Sequence, residues 1–267
     1  MEITQHIRFK GFYFHHTLTP SPAPEDFARH CHNMYEIIYI RQGNGTFLVE
    51  GTSYPVSSGC LLLFRPREFH CLQVKESAPY ERFVVNFDEH NVLTDSALLL
   101  DLFQNRELGT HNLYSGLSTR LTEAFLRIAA CESAAEPERS LMAKLILNEL
   151  LVILHGECAS DFSAPDQLIN RIITYLDEHL VEPLRLEDLA SEFFISRHYL
   201  GHMFKKHTGM TLMEYIIRKR LAMAQHLMRD GYQASIAASM SGFNDYSAFY
   251  RAYIKYIGLK PSEEILK

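Results

Sequence analysis

The chain has no excess of positive charge: 26 Lys and Arg stand against 32 Asp and Glu, a formal net charge of -6. Taken over the whole length, that balance argues against a nucleic-acid binder. The five cysteines (Cys31, Cys60, Cys71, Cys131 and Cys158) contain no CxxC pair and are odd in number. Scattered single thiols speak against a disulfide framework and suit a reducing cytoplasm. No stretch reaches the roughly 18 uncharged apolar residues of a membrane span. The opening "MEITQHIRFKGFYF" also lacks the apolar run of a signal peptide. The expectation is a cytoplasmic protein without a membrane partner. There is no low-complexity tract, and the first half carries no internal repeat.

What is present is ample apolar material, 47% of 267 residues, enough for two ordinary domains. The charge is unevenly shared. Residues 1–164 hold 13 basic and 20 acidic side chains, a net of -7, whereas residues 165–267 hold 13 and 12, a net of +1, with five histidines. Nucleic-acid binding is therefore permitted in the C-terminal part.

Up to about residue 87 the pattern is that of short strands. "IRFKGFYFHH" alternates, with Ile7, Phe9, Gly11 and Tyr13 on one side. "YEIIYI", "GTFLVEG", "TSYPV", "CLLLF", "HCLQV" and "RFVVNF" follow, separated by turn residues at Gly43-Asn44-Gly45, Gly51-Thr52, Ser57-Ser58-Gly59 and Pro66-Arg67-Glu68. Strands so spaced predict a small sandwich or barrel, with alternate side chains lining an interior. From about residue 95 the period becomes helical in "DSALLLDLFQN", "GLSTRLTEAFLRIAACESA" and "PERSLMAKLILNELLVILHGE". In the last of these Leu141, Leu145, Leu147, Leu150, Leu151 and Leu154 cover more than one face. That fits either a helix buried against its own barrel or a two-helix dimer surface, and the limited area of a short barrel favours the dimer surface. The fold class expected is α+β, with domain 1–157, a linker over 158–165 ("CASDFSAP"), and an all-helical domain over 166–267.

In the helical domain, Leu186, Leu189, Ala190 and Phe193 make the apolar face of a short helix. Ser196 is a good N-cap for the next, Arg197 to His207, which turns Leu200, Met203 and Phe204 inward. Arg197, His198, Gly201, His202, Lys205 and Lys206 are left outward. Two short helices around a brief turn, the second basic, form a helix-turn-helix whose second helix enters a major groove. After a long helix with Ile216, Leu221, Ala224 and Leu227 on one face, the pattern repeats around Gly242-Phe243. Its second helix, from about Asp245 to Ile257, buries Phe249, Tyr253 and Ile257. Tyr246, Ser247, Tyr250, Arg251 and Lys255 face out.

The segment from about 166 to 263, through "LEDLA", "SRHYLGHMFKKHTGMT", "GF-D-SAFYRAY" and "G-KPSE", resembles the DNA-binding domain of the AraC/XylS family of bacterial transcription regulators. The resemblance implies two helix-turn-helix units joined by a long helix, sequence-specific binding to double-stranded promoter DNA, and RNA polymerase as a partner. It implies base contacts by His198, Gly201 and His202 in the first unit, and by Tyr246, Ser247 and Arg251 in the second. Arg197, Lys205, Lys206, Asn244 and Lys255 complete the expected DNA-binding set, the cations among them suited to phosphates. The chain departs from the family at Ala234, Ala237 and Ser241, where bulkier aliphatic residues are usual, which predicts a less tightly packed second unit.

The first half in turn resembles the cupin-like effector domain that often precedes such a DNA-binding domain. His30, His32, Glu36 and Gly43 match the cupin pattern of His-x-His, Glu and Gly, and His70 in "RPREFHCL" is the candidate fourth ligand. On one continuous strand, residues 30, 32 and 36 would share a face. Imidazole and carboxylate suit a divalent metal such as Zn, Fe, Mn or Ni. The principal expectation is nevertheless a protein without cofactor and without catalysis. Tyr13, His15, His30, His32, Glu36, Tyr39, Arg41 and His70 would line a pocket for a small polar effector. A carbohydrate fits the aromatic and hydrogen-bonding supply. The resulting expectation is an effector-controlled homodimeric regulator, more commonly an activator in this family. A metal-dependent cupin enzyme and a metal-sensing regulator are the alternatives.

Overall fold

The computed structural model describes residues 2–23, 27–74, 78–93, 97–158 and 168–264. They form two compact units, divided at residues 164 and 165, with the short loop segments 31–33 and 67–69 grouped with the second. The expected linker lies, except for Cys158, outside the described residues.

The first unit begins with two strands, not one. β1 (Glu2–Phe9) and β2 (Phe12–Thr19) are antiparallel, and the chain reverses at Lys10-Gly11. Gly11 has φ +69°, and the carboxylate of Asp88 fills the space a β-carbon would need, so the alternation read through this stretch is broken by a turn. The turn is held by Asn91, whose side-chain amide donates to the carbonyls of Lys10 (3.1 Å) and Gly11 (2.8 Å).

Six more strands follow: β3 (Tyr35–Gln42), β4 (Asn44–Val49), β5 (Thr52–Ser57), β6 (Leu61–Phe64), β7 (His70–Val74) and β8 (Tyr80–Phe87). With the two-residue β9 (Leu113–Tyr114) they make a six-stranded sheet in the order β1-β2-β8-β3-β6-β9 and a three-stranded sheet in the order β5-β4-β7. A cluster of Ile38, Ile40, Phe47, Val49, Leu62, Phe64, Leu72 and Val84 fills the space between the sheets. On the other face of the large sheet Phe14, Ile37, Leu61, Leu63, Phe83, Val85 and Phe87 pack against three helices. These are α1 (Ala97–Gln104), α2 (Thr119–Ala130) and α3 (Glu138–Cys158). Strands apolar on both faces are what a sheet covered on both sides requires.

α3 turns Leu147, Leu150, Leu151 and Leu154 fully inward, while Leu141, Leu145 and Val152 remain 60%, 54% and 58% exposed. These three recur at intervals of four and seven residues, so they form one stripe along the helix. Leu126 of α2 adds to the exposed apolar surface.

The second unit is helical: α4 (Leu168–Glu178), α5 (Leu186–Glu192), α6 (Arg197–Thr208), α7 (Leu212–Arg229), α8 (Ala234–Met240), α9 (Tyr246–Ile257) and α10 (Pro261–Glu264). α7 is tied to α4 and the turn after it by two cations. Lys219 is buried over the ring of Tyr215, 5.0 Å from its centre, and meets Asp177 at 3.7 Å. Arg220 donates to the carbonyls of Leu180 (2.8 Å) and Glu182 (2.6 Å). A buried cation is tolerable only with such partners. Ala237 and Ala238 are buried in one cluster with Leu221, Ala224 and Met228 of α7 and Phe249 and Tyr253 of α9, Ala234 packs against it half-buried, and Ser241 is buried. No helix among the described residues is long and apolar enough to cross a membrane.

Candidate DNA-reading face and effector chamber

The two helix-turn-helix units are built alike. α5 and α8 are each seven residues long, and each is followed by a tight turn and a twelve-residue helix. Ser196 accepts a hydrogen bond from the Tyr199 N–H at 3.1 Å, and Asp245 from the Ala248 N–H at 2.7 Å, so both second helices start at a side-chain cap. Both end on a glycine in the left-handed conformation, Gly209 and Gly258. α6 buries Leu200, Met203 and Phe204, and α9 buries Phe249 and Tyr253.

The opposite faces carry the expected DNA-binding residues. His198, His202, Lys205 and Lys206 are exposed on α6, with Gly201 half-buried between them. Asn244, Tyr246, Ser247, Arg251 and Lys255 are exposed on or just before α9. Arg197 is exposed but engaged: it donates to Glu187 of α5 at 2.6 Å, and this bond holds the Glu187 carboxyl below its ordinary pKa. Arg197 therefore braces the first unit as well as facing outward. Phe194, in the turn before α6, is 95% exposed and holds φ +54°. Nothing in the sequence singled it out, because a phenylalanine next to another apolar residue reads as core.

In the first unit the pairing of strands sorts the candidate pocket residues by face. Directly opposed residues of antiparallel strands share a face. Tyr13, Asn86, Glu36 and Phe64 stand in one row across β2, β8, β3 and β6, and His15, Val84, Ile38 and Leu62 in the next. Ile38, Val84, Leu62 and Phe64 belong to the cluster between the sheets, so Tyr13, His15 and Glu36 face that interior too. Tyr39 and Arg41 do not. Tyr39 stacks on Phe125 and accepts from Thr122 at 2.9 Å, which places it under α2. Arg41 bonds Glu81 at 3.1 Å and lies over Phe83. The reason is the two-residue period of β3: if residue 36 points inward, 39 and 41 point the other way.

The same rows reveal two interior residues that the motif reading passed over, Arg82 and Asn86 on β8. Their signal was available: two polar residues four apart, alternating with Phe83, Val85 and Phe87, imply an inward polar face. Arg82 lies 5.3 Å from the ring centre of Phe27 and 5.8 Å from that of Tyr80. Burial pushes the His15 pKa down to about 4, and the Arg82 charge adds to the effect, so the imidazole is neutral near pH 7. The face of the large sheet turned toward the small one thus carries a guanidinium, a carboxylate, a neutral imidazole, a phenol and an amide among aromatic side chains.

His30 and His32 lie outside β3, which begins at Tyr35 after a bend at Asn33-Met34. The expected continuous strand from residue 30 to 36 is therefore not formed. The residues meet by another route. His30 and His70 are joined by a two-way backbone bridge, 3.1 and 3.0 Å, with their rings 4.4 Å apart. His70 Nε2 is 2.9 Å from Glu36 Oε2. One possible ligand atom from each of His30, His32 and His70 lies within 4.8 Å of the others.

Comparison with known proteins agrees with this division. An AraC-like ligand binding domain model matches residues 21–151, and a helix-turn-helix domain model matches residues 189–264. The chain is 22% identical over 250 residues to the HTH-type transcriptional activator RhaS of Klebsiella pneumoniae, covering 92% of this chain and 90% of the relative. It is 23% identical over 247 residues to the activator RhaR of Salmonella schwarzengrund, covering 90% and 88%. Among solved structures, ToxT from Vibrio cholerae O395 aligns over 97% of this chain and 98% of its own, at 15% identity and a TM-score of 0.46. With an AraC-like ligand binding domain and a helix-turn-helix domain matched in succession along most of its length, this chain belongs to the AraC/XylS family of transcription regulators.

Proposed function

We propose that the protein is a transcription activator that binds its promoter through α6 and α9 and is controlled by a small polar molecule held between the two sheets. The observation that carries the reading is the pair of capped helices, each exposing polar, basic and aromatic side chains while burying its other face in its own unit. Two such helices suit entry into successive major grooves. Activation, with RNA polymerase as the partner at the promoter, rests on the relatives RhaS and RhaR, both named as activators. The family placement supports action by binding, not by catalysis.

A carbohydrate is the effector class that suits the side chains on this interior face. Tyr13, Phe27, Phe64 and Tyr80 supply ring faces, while Glu36, Arg82, Asn86 and His15 supply donors and acceptors for hydroxyl groups. The exposed stripe of Leu141, Leu145 and Val152 supports pairing with a second copy. The ligand acts by its different affinity for two arrangements of the protein, and so shifts how the DNA-binding units are presented.

The test is a panel of monosaccharides and sugar acids added to protein and a labelled duplex from the region upstream of its gene. At least one sugar should change the affinity for DNA, and Tyr13→Ala or Asn86→Ala should abolish that response while leaving ligand-free DNA binding intact. A duplex bound with an affinity that no panel member alters would refute the effector reading.

A further inference from the structure

We infer that Arg197 reads a guanine in the operator, with Glu187 as the positioning residue that aims its guanidinium and Gly201 as a gap that lets the base pair come close. The inference rests on the reading of α6 as a recognition helix, and it adds the base that one side chain selects.

Arg197 is the first residue of α6, directly after the Ser196 cap. The N-terminal residues of a recognition helix are the ones that meet base edges in a major groove. The helix itself disfavours a cation in this place, because the positive end of its dipole opposes it. What holds the side chain lies across the turn. Arg197 NH1 donates to Glu187 Oε1 of α5 at 2.6 Å, the two side chains being 65% and 59% exposed. A pair so exposed adds little to stability. Its geometric effect is larger, since a short charge-assisted bond at one end of the guanidinium restricts the rotamers of a long side chain.

The carboxylate also sorts the targets. A phosphate brought to Arg197 would meet the Glu187 charge beside it, an unfavourable approach of two anions. A guanine edge is neutral and offers two acceptors, O6 and N7. These match the parallel donors on the Nε–NH2 edge of the guanidinium, which is distinct from the NH1 held by Glu187.

One turn further along the same face, at i+4, stands Gly201. Glycine is among the least favourable residues in a helix interior. Packing gives no reason for it here: outside its own stretch of helix, no described atom lies within 4 Å of where a β-carbon would stand. The gap serves something beyond the chain. It leaves α6 without a side chain one turn behind Arg197, so the helix backbone can approach the groove floor and the arginine can reach a base from the first turn.

The experiment measures the affinity of the full-length protein, by fluorescence anisotropy at one salt concentration, for its own upstream duplex and for each single-base-pair variant of it. Arg197→Ala should lose about tenfold or more on the parent duplex and become indifferent at one G·C position. Arg197→Lys keeps the charge without the paired donors. It should lose the same preference while the slope of log affinity against log salt stays at the parent's value. Glu187→Ala should flatten the preference at that position, and Glu187→Gln, which keeps an acceptor, should restore most of it. Adding Glu187→Ala to Arg197→Ala should change nothing further there. Gly201→Ala should leave the urea midpoint equal or higher and weaken binding to the parent duplex. Circular dichroism checks the fold of each variant. An Arg197→Lys protein with the parent's base preferences would overturn the assignment. So would a Glu187→Ala protein in which every duplex changes by the same factor, the mark of a surface charge alone. Parent affinity in Gly201→Ala would remove the gap. A parent that binds a scrambled duplex as well as its own contradicts the regulator reading, whereas a parent that discriminates while Arg197→Ala keeps its pattern removes only the guanine contact.

Discussion

The roles proposed for individual side chains on α6 and α9 in DNA binding are separable by substitution. Arg251 is exposed on α9; with the base-edge contact proposed for it, Arg251→Ala should cost about 1–3 kcal/mol at the operator and relax preference at one base pair, read by anisotropy on a set of single-base operator variants. Lys205→Ala should instead weaken all duplexes alike and lower the slope of log affinity against log salt by about one. Phe194, in the turn of the first helix-turn-helix, occupies the left-handed region with its ring 95% exposed, a backbone strain that no burial of the ring offsets. Phe194→Gly should raise stability by up to about 1 kcal/mol, and a lowered urea midpoint would show that the ring has a partner. His15 supplies a pH test. Its folded pKa of about 4 lies below the ordinary 6.5, so the unfolded chain takes the proton first as pH falls. Stability attributable to this group is complete above pH 6.5 and declines towards pH 4, by about 2 kcal/mol between pH 7 and 5. Urea midpoints of the parent should fall over that range by correspondingly more than those of His15→Gln.

At the scale of elements, periodicity was a sound guide wherever one face of a helix meets a core. α3, α6, α7 and α9 lie where their apolar spacing put them, and Leu200, Met203, Phe204, Phe249 and Tyr253 are buried as that spacing requires. Strands were read less well, because a period of two says that faces alternate but not which face is inside. That is decided by partners distant in sequence, which is why Tyr39 and Arg41 went to the helix side while Arg82 and Asn86 were overlooked. The turn at Gly11 was hidden for a related reason, since its strain is answered by Asp88 and Asn91 some eighty residues away. The histidines were legible as a group but not as a geometry: a bend at Asn33-Met34 and a bridge to His70 bring them together, not a shared strand. The caps of the two recognition helices give a direct test of element stability. Asp245→Ala removes the acceptor for the Ala248 N–H and should cost about 1 kcal/mol in the second unit.

For the whole molecule, two exposed surfaces bear on the proposed assembly and function. The stripe of Leu141, Leu145 and Val152 on α3 is apolar enough that each leucine buried in a contact contributes about 1.5–3 kcal/mol. Light scattering should therefore give twice the 30.8 kDa chain mass for the parent and the single mass for a Leu145→Glu, Val152→Glu variant with unchanged circular dichroism. A parent that is monomeric at all concentrations would remove the dimer. The net charge of -6 makes the DNA surface a local feature: the acidic excess lies in residues 1–164, and the helical part carries none of it. The most direct measurement is the affinity of the full-length protein for a duplex from its own upstream region against a scrambled duplex of the same composition and length, at one stated salt concentration. A regulator reading bases through α6 and α9 should prefer its own sequence by about a thousandfold or more. Equal affinity for the two duplexes would contradict it.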